Sequence, residues 1–222
     1  MAGQSTTIRD VDPRDGAEIS QIPAYVEEGE QVVGLAYDPY TDHLFIRIFP
    51  GNFIRVVDRP AAKVKRVFQA RSLPLGGHDF AIRSRDRHLF FTDPTAPALI
   101  ETDLNGELQN YITLGGLEKP VWGVAHDLRS DELLILATQT SDRVLRYSLA
   151  GKLVSELPLE QPVQGVSLAY DSVEQLHYAS LADGSAIGVF DHKGRLLRRM
   201  SRPPAEREVF IDIGPRSLLR LF

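Results

Sequence analysis

The residues of this chain best equipped for chemistry are His78, Asp79 and Trp122. A histidine beside an aspartate can move a proton or orient a bound group near neutral pH, and a tryptophan offers a flat apolar face for stacking. Gln164, Asn52, Asp93, Gln139 and Asp183 add hydrogen-bonding groups in segments that the repeat described below brings to the same end of the molecule. Simpler roles fit some of them equally well. His78 follows a Gly-Gly pair and can satisfy a loop carbonyl, while Asp79 can cap loop backbone. Asp93, Asp142 and Asp183 occupy comparable loops, where Asx-type turns account for them as readily as a shared cation site does. His43 and His88 each open an apolar run, so they read as turn-to-strand junction residues rather than metal ligands. The sequence contains no nucleophile elbow, phosphate-binding loop or metal-binding helix, so the expectation is no metal and no cofactor.

The elements that must position these residues are short strands in a repeat. The stretch from Pro120 to Leu159 divides into four apolar runs separated by turn residues, enough for one small antiparallel sheet. Its first run is almost wholly apolar, as an inner strand should be, and its last two carry charges, as outer strands do. The pattern recurs. Gly34-Leu-Ala-Tyr-Asp corresponds to Gly123-Val-Ala-His-Asp, His43-Leu-Phe to His88-Leu-Phe, and Leu35-Ala-Tyr-Asp to Leu168-Ala-Tyr-Asp. Turn positions Gly16, Ala61, Gly106, Gly151 and Gly194 are spaced 45, 45, 45 and 43 residues apart. Recurrence of a four-strand unit at this period is the signature of a β-propeller.

Four whole units are expected at about 31–69, 76–114, 120–159 and 162–200, with a half unit at each end of the chain. The halves at 6–23 and 208–222 complement one another, which predicts an all-β, five-bladed, four-stranded propeller spanning 1–222 as one domain. In that closure, Phe210–Ile213 and Leu218–Leu221 are the inner strands and Ile8–Val11 and Ala17–Ile22 the outer ones. Sharing one blade between the termini leaves no open sheet edge. Ala36, Ala81, Ala125 and Ala169 recur at one inner-strand position, where a small side chain suits sheets converging on a narrow channel.

The repeated Gly-Φ-Ala-x-Asp-(turn)-Leu-Φ-Φ, followed by Φ-x-Φ-Asp-x-x-Gly-x-Φ (Φ apolar), resembles the NHL and YncE-like propeller repeats, a group that includes streptogramin lyase-like and SdiA-regulated proteins. The resemblance spans the chain but rests on blade-building residues. It implies a fold whose members range from protein- and RNA-binding modules to enzymes. The calcium-dependent lactonase and phosphatase propellers use a central Glu, two Asn and an Asp on four blades, whereas this chain has only Asn52, Asn105 and Asn110. The streptogramin lyases use a histidine pair with a glutamate, and here only His78 is suitably placed. Five-bladed glycosidases use three carboxylates, of which Asp79 and Glu208 supply at most two.

Composition narrows the partners. A net charge of −5 over 222 residues provides no basic field for nucleic acid or for an anionic membrane surface. No run approaches 18 apolar residues, and no basic segment precedes an apolar one at the N-terminus. The absence of cysteine excludes disulfides and thiolate metal sites without choosing a compartment. A cytoplasmic location is the default, and an exported or virion-associated one is equally compatible. The reading that follows is a non-catalytic interaction module. It takes a protein partner in preference to a small polar ligand or carbohydrate, at the channel mouth, through Trp122, His78, Asp79 and Gln164. The alternative is a small lyase or hydrolase using His78 and Asp79.

Overall fold

A computed structural model describes residues 7–202 and 209–214. Among these the structure is entirely β, and four four-stranded antiparallel sheets follow one another along the chain. The first comprises β3 (Gln31–Asp38), β4 (His43–Phe49), β5 (Phe53–Asp58) and β6 (Lys63–Gln69). The second comprises β7 (Phe80–Arg83), β8 (His88–Thr92), β9 (Ala98–Thr102) and β10 (Leu108–Thr113). The third is β11 (Gly123–Asp127), β12 (Glu132–Leu136), β13 (Thr140–Ser148) and β14 (Leu153–Gln164). The fourth is β15 (Ala169–Asp171), β16 (Leu176–Ser180), β17 (Ile187–Phe190) and β18 (Leu196–Met200). Strands pair in simple meander order within each blade. The innermost strands β3, β7, β11 and β15 lie side by side in that sequence, which is the arrangement of a propeller.

The core lies between blades. One cluster joins Ala36, Phe45 and Ile54 of the first blade to Phe80, Leu89 and Phe91 of the second. A second joins Phe90 and Leu99 to Val124, Leu133 and Ile135, and a third joins Leu134, Leu136 and Val144 to Leu168, Tyr170 and Phe190. Ala36, Ala81 and Ala125 belong to these layers, and Ala169 to a further cluster against which Val11, Ile211 and Ile213 pack. Ala36, Ala81, Ala125 and Ala169 are each buried and stand opposite Phe45, Phe90, Leu134 and Tyr178 on the neighbouring strand. Their small size therefore matches a large cross-strand partner inside an inter-blade layer rather than the width of the channel alone. Because that space is filled, Ala125→Leu should destabilise by about 1–3 kcal/mol. Unchanged denaturant midpoints would show instead that the layer has room.

Of the five four-stranded blades expected, four are complete among the described residues. Two further segments of the described residues lie outside these blades. β1 (Thr7–Val11) and β2 (Glu18–Pro23) form a two-stranded sheet, and residues 209–214 run extended outside any strand ladder. Hairpin packing shows where the small sheet sits. The turn glycines Gly106, Gly151 and Gly194 each lie against the end of the preceding blade, next to Ala70, Thr113 and Pro158 respectively, and Gly16 lies in the same way against Met200 and Ser201. The β1–β2 hairpin thus follows the fourth blade as each blade follows the one before. In the first blade the left-handed turn residue is Ala62 rather than Ala61, and Tyr25, just beyond β2, donates its hydroxyl to the Ala62 carbonyl. Residues 209–214 are held by side chains. Ser167 Oγ bonds Ile211 N at 3.0 Å, and Tyr37 N donates to Asp212 Oδ2 at 2.6 Å. Between β1 and this segment lies a cavity of about 770 Å3 walled by apolar groups such as Ile8, Tyr37, Leu44, Ile187 and Met200. The expected strand Leu218–Leu221 lies outside the described residues.

Candidate functional site

At the end of the channel where the chain enters each innermost strand, His78 and Trp122 come together. Their rings stack with centroids 3.7 Å apart and planes 14° from parallel, and both residues are half-buried. Two glycines make this approach feasible. Gly77 has a φ of +91°, and a Cβ there would lie 2.8 Å from the Thr92 carbonyl oxygen and 2.9 Å from Arg47 Nη1. At Gly165 a Cβ would lie 2.0 Å from the Thr138 carbonyl oxygen and 3.2 Å from the Trp122 Cβ. Only glycine lets both backbones pass this closely. Burial and the nearby Arg47 charge hold the His78 imidazole below its ordinary pKa, so the ring on the indole is neutral at pH 7.

Arg47 escaped the sequence reading. Its side chain is wholly buried, and Nη2 donates to Asn52 Oδ1 (3.0 Å) and to the Gly76 carbonyl. Asn52 Nδ2 in turn donates to the carbonyls of Leu73 (3.1 Å) and Pro74 (2.8 Å). The pair clamps the loop that ends in His78. Asn52, expected at the mouth, is 4% exposed, with its amide spent on this clamp. An arginine inside the otherwise apolar run His43-Leu-Phe-Ile-Arg-Ile-Phe is the signal that could have found it. Burial lowers its pKa to about 10, so it stays charged at neutral pH, yet Nε and Nη1 have no hydrogen-bond partner among the described residues.

Asp79 points inward and is 1% exposed. Its Oδ2 accepts from Val124 N at 3.2 Å and Leu168 N at 3.3 Å, tying the second blade to the inner strands of the third and fourth. Its Oδ1 is buried without a partner among the described residues. Burial drives its pKa well above the carboxylate range against the opposing pull of those backbone N–H groups, and Asp212 raises it further. Gln164 ends β14, which continues past the expected boundary near 159 and pairs with β13 across a bulge between Ser141 and Arg143. Its Oε1 is also buried and has no hydrogen-bond partner among the described residues.

The other sequence candidates are not gathered here. Asp93 accepts from Thr95 N and Thr95 Oγ, both at 2.7 Å, and from the Tyr111 hydroxyl at 2.8 Å. Asp183 accepts from Ser185 N (2.9 Å) and Ser185 Oγ (2.7 Å), the turn chemistry that was the simpler reading. Gln139 is exposed, and its carbonyl accepts from Gly165 N. His43 and His88 begin β4 and β8, and His88 Nδ1 lies 2.7 Å from Glu101 Oε1. No group of three or more His, Cys, Asp or Glu side chains among the described residues could hold a metal ion.

No family model and no curated protein matches the chain. Solved structures do. A chain of a nidogen/laminin complex is 12% identical, covering 94% of this chain and 78% of its own, with a TM-score of 0.61. The glutaminyl cyclase of Myxococcus xanthus is 15% identical over 77% of this chain and 70% of its own, with a TM-score of 0.58. A protein of unknown function from Bacteroides caccae is 14% identical over 90% and 71%, with a TM-score of 0.53. These likenesses support the propeller fold and do not single out the NHL or YncE-like group. They include an enzyme and a component of a protein complex, so the fold leaves function to the site.

Proposed function

We propose that this propeller is a non-catalytic interaction module that takes a partner, a protein in preference to a small polar ligand or carbohydrate, at the mouth marked by Trp122 and His78. The observation that carries the reading is the half-exposed imidazole–indole stack at the mouth. A neutral aromatic platform suits a flat group, such as a carboxamide or aromatic side chain at the centre of a partner's interface. General acid–base catalysis by His78 and Asp79 is less well supported. That chemistry needs a carboxyl within reach of a substrate, whereas Asp79 is enclosed and spends Oδ2 on two backbone N–H groups.

As part of this reading the ring closes as a five-bladed, NHL- or YncE-like propeller. Closure would give the mouth a rigid rim. Trp122→Ala should weaken partner binding by about 2 kcal/mol or more while leaving unfolding cooperative. The lone tryptophan also supplies a direct test, because partner binding should shift its emission and protect it from a soluble quencher. Emission already fully protected in the free protein, and unmoved by a captured partner, would put the contact surface elsewhere.

A further inference from the structure

The opposite end of the channel holds a second cavity, of about 100 Å3, that the proposed function does not use. Tyr37, Phe80, Val124, Leu168 and Tyr170 from all four inner strands wall it, and residues 212–214 complete the wall. The hairpin tips carrying Pro39, Ser84, Leu128 and Val173 rim it, and Leu128 and Val173 are 49% and 60% exposed, so it opens to that face. Among these apolar and aromatic walls stands the Asp212 carboxylate. Its Oδ2 accepts from Tyr37 N (2.6 Å) and its Oδ1 from Ile213 N (2.7 Å), which leaves lone pairs on both oxygens. No cation among the described residues pairs with it. Guanidinium groups around this end are taken by other acids: Arg83 by Asp86 and Glu101, Arg87 by Asp38, and Arg146 by Asp127 and Glu132.

We propose that this cavity is a binding site for a primary alkylammonium group, with Asp212 as the counter-ion and Tyr37, Phe80 and Tyr170 around the alkyl stem. Aromatic faces and one desolvated carboxylate are the two features that attract an ammonium ion out of water. The volume suits a short chain, since an apolar cavity of about 150 Å3 accommodates benzene. A second buried acid lies further along the channel: the Asp79 carboxyl senses the Asp212 charge. Burial pushes Asp212 up to about 7, and an ammonium ion beside it would restore the ionised form.

The test titrates the 15N-labelled full chain with n-butylammonium chloride, following the amides of Tyr37 and Ile213, with n-butanol at matched chloride as the control. Saturable shifts are expected with the amine and none with the alcohol. Asp212→Asn should weaken the response at least tenfold. Ser84→Trp, which plugs the rim without touching Asp212, should do the same and decides the matter if the first variant fails to fold. Equal shifts from n-butanol, no saturation with the amine, or wild-type affinity in these variants would overturn the site. A blocked Gly-Lys-Gly peptide separates the sources. Binding tighter than the free amine, with added shifts at Leu128 and Val173, identifies a lysine side chain of a polypeptide, and binding by the free amine alone identifies a small amine. Trp122→Ala should leave every one of these responses intact, so failure here and failure of the opposite mouth are distinguishable.

Discussion

Truncation after Met200 should abolish the single cooperative melting transition and leave the protein prone to aggregate. The lost segment contributes Ile211 and Ile213 to the cluster formed with Ala169, Tyr178, Ile187, Val189 and Met200. It also supplies the partners of Tyr37 N and Ser167 Oγ. Partly burying two isoleucines is worth about 1–2 kcal/mol each, below the full-burial value, and one orphaned N–H costs about 1–3 kcal/mol more. A loss of about 5 kcal/mol rivals the whole stability of an ordinary domain. Removal would also bare apolar surface of the first and fourth blades, which invites association between molecules. Calorimetry with size-exclusion chromatography checks this. A monomeric truncation with an unchanged melting transition would show that the four blades stand without closure.

Asp79→Ala should cost about 3 kcal/mol, and Asp79→Asn much less. The alanine strands the N–H groups of Val124 and Leu168 in the centre of the ring, whereas the asparagine keeps an acceptor at the same distance. The pH dependence separates charge from shape. Folding raises the Asp79 pKa, so the unfolded chain ionises first as pH rises above the carboxylate range. Wild-type stability therefore falls with rising pH until the folded group ionises as well, and this component is absent from Asp79→Asn. Asp212, pushed up to about 7, acts in the same direction, and His177, which burial lowers to about 4, acts in the opposite one. Both are present in the two proteins, so the difference between their stability profiles reports Asp79 together with its coupling to Asp212. Parallel profiles from pH 4 to 9 would refute the raised pKa.

The candidate site was legible in part. His78 and Trp122 lie 44 residues apart in the chain, close to one repeat, and that spacing is enough to put both at inner-strand entrances. Their stacking depends on two close backbone approaches at Gly77 and Gly165, which no spacing encodes. Asn52 shows the same boundary from the other side. Its loop was placed correctly, but whether an amide faces solvent or clamps a neighbouring loop depends on a buried arginine five residues earlier. Asp212, a lone carboxylate between two isoleucines, gave a signal that could have been taken, yet its meaning required knowing which channel it enters.

What the sequence by itself determined is the blade: strand lengths, meander order, turn positions and an inner-to-outer gradient of polarity all follow from local pattern, because each sheet is built from neighbours in the chain. What only the tertiary structure decided is whatever lies between blades. The alanines face inter-blade layers, Asp79 spans three inner strands, β14 runs past its expected end, and residues 209–214 are tied in by side chains rather than by a ladder. These depend on contacts between residues far apart in sequence, where a repeat specifies that faces meet but not which atoms are left without partners when they do.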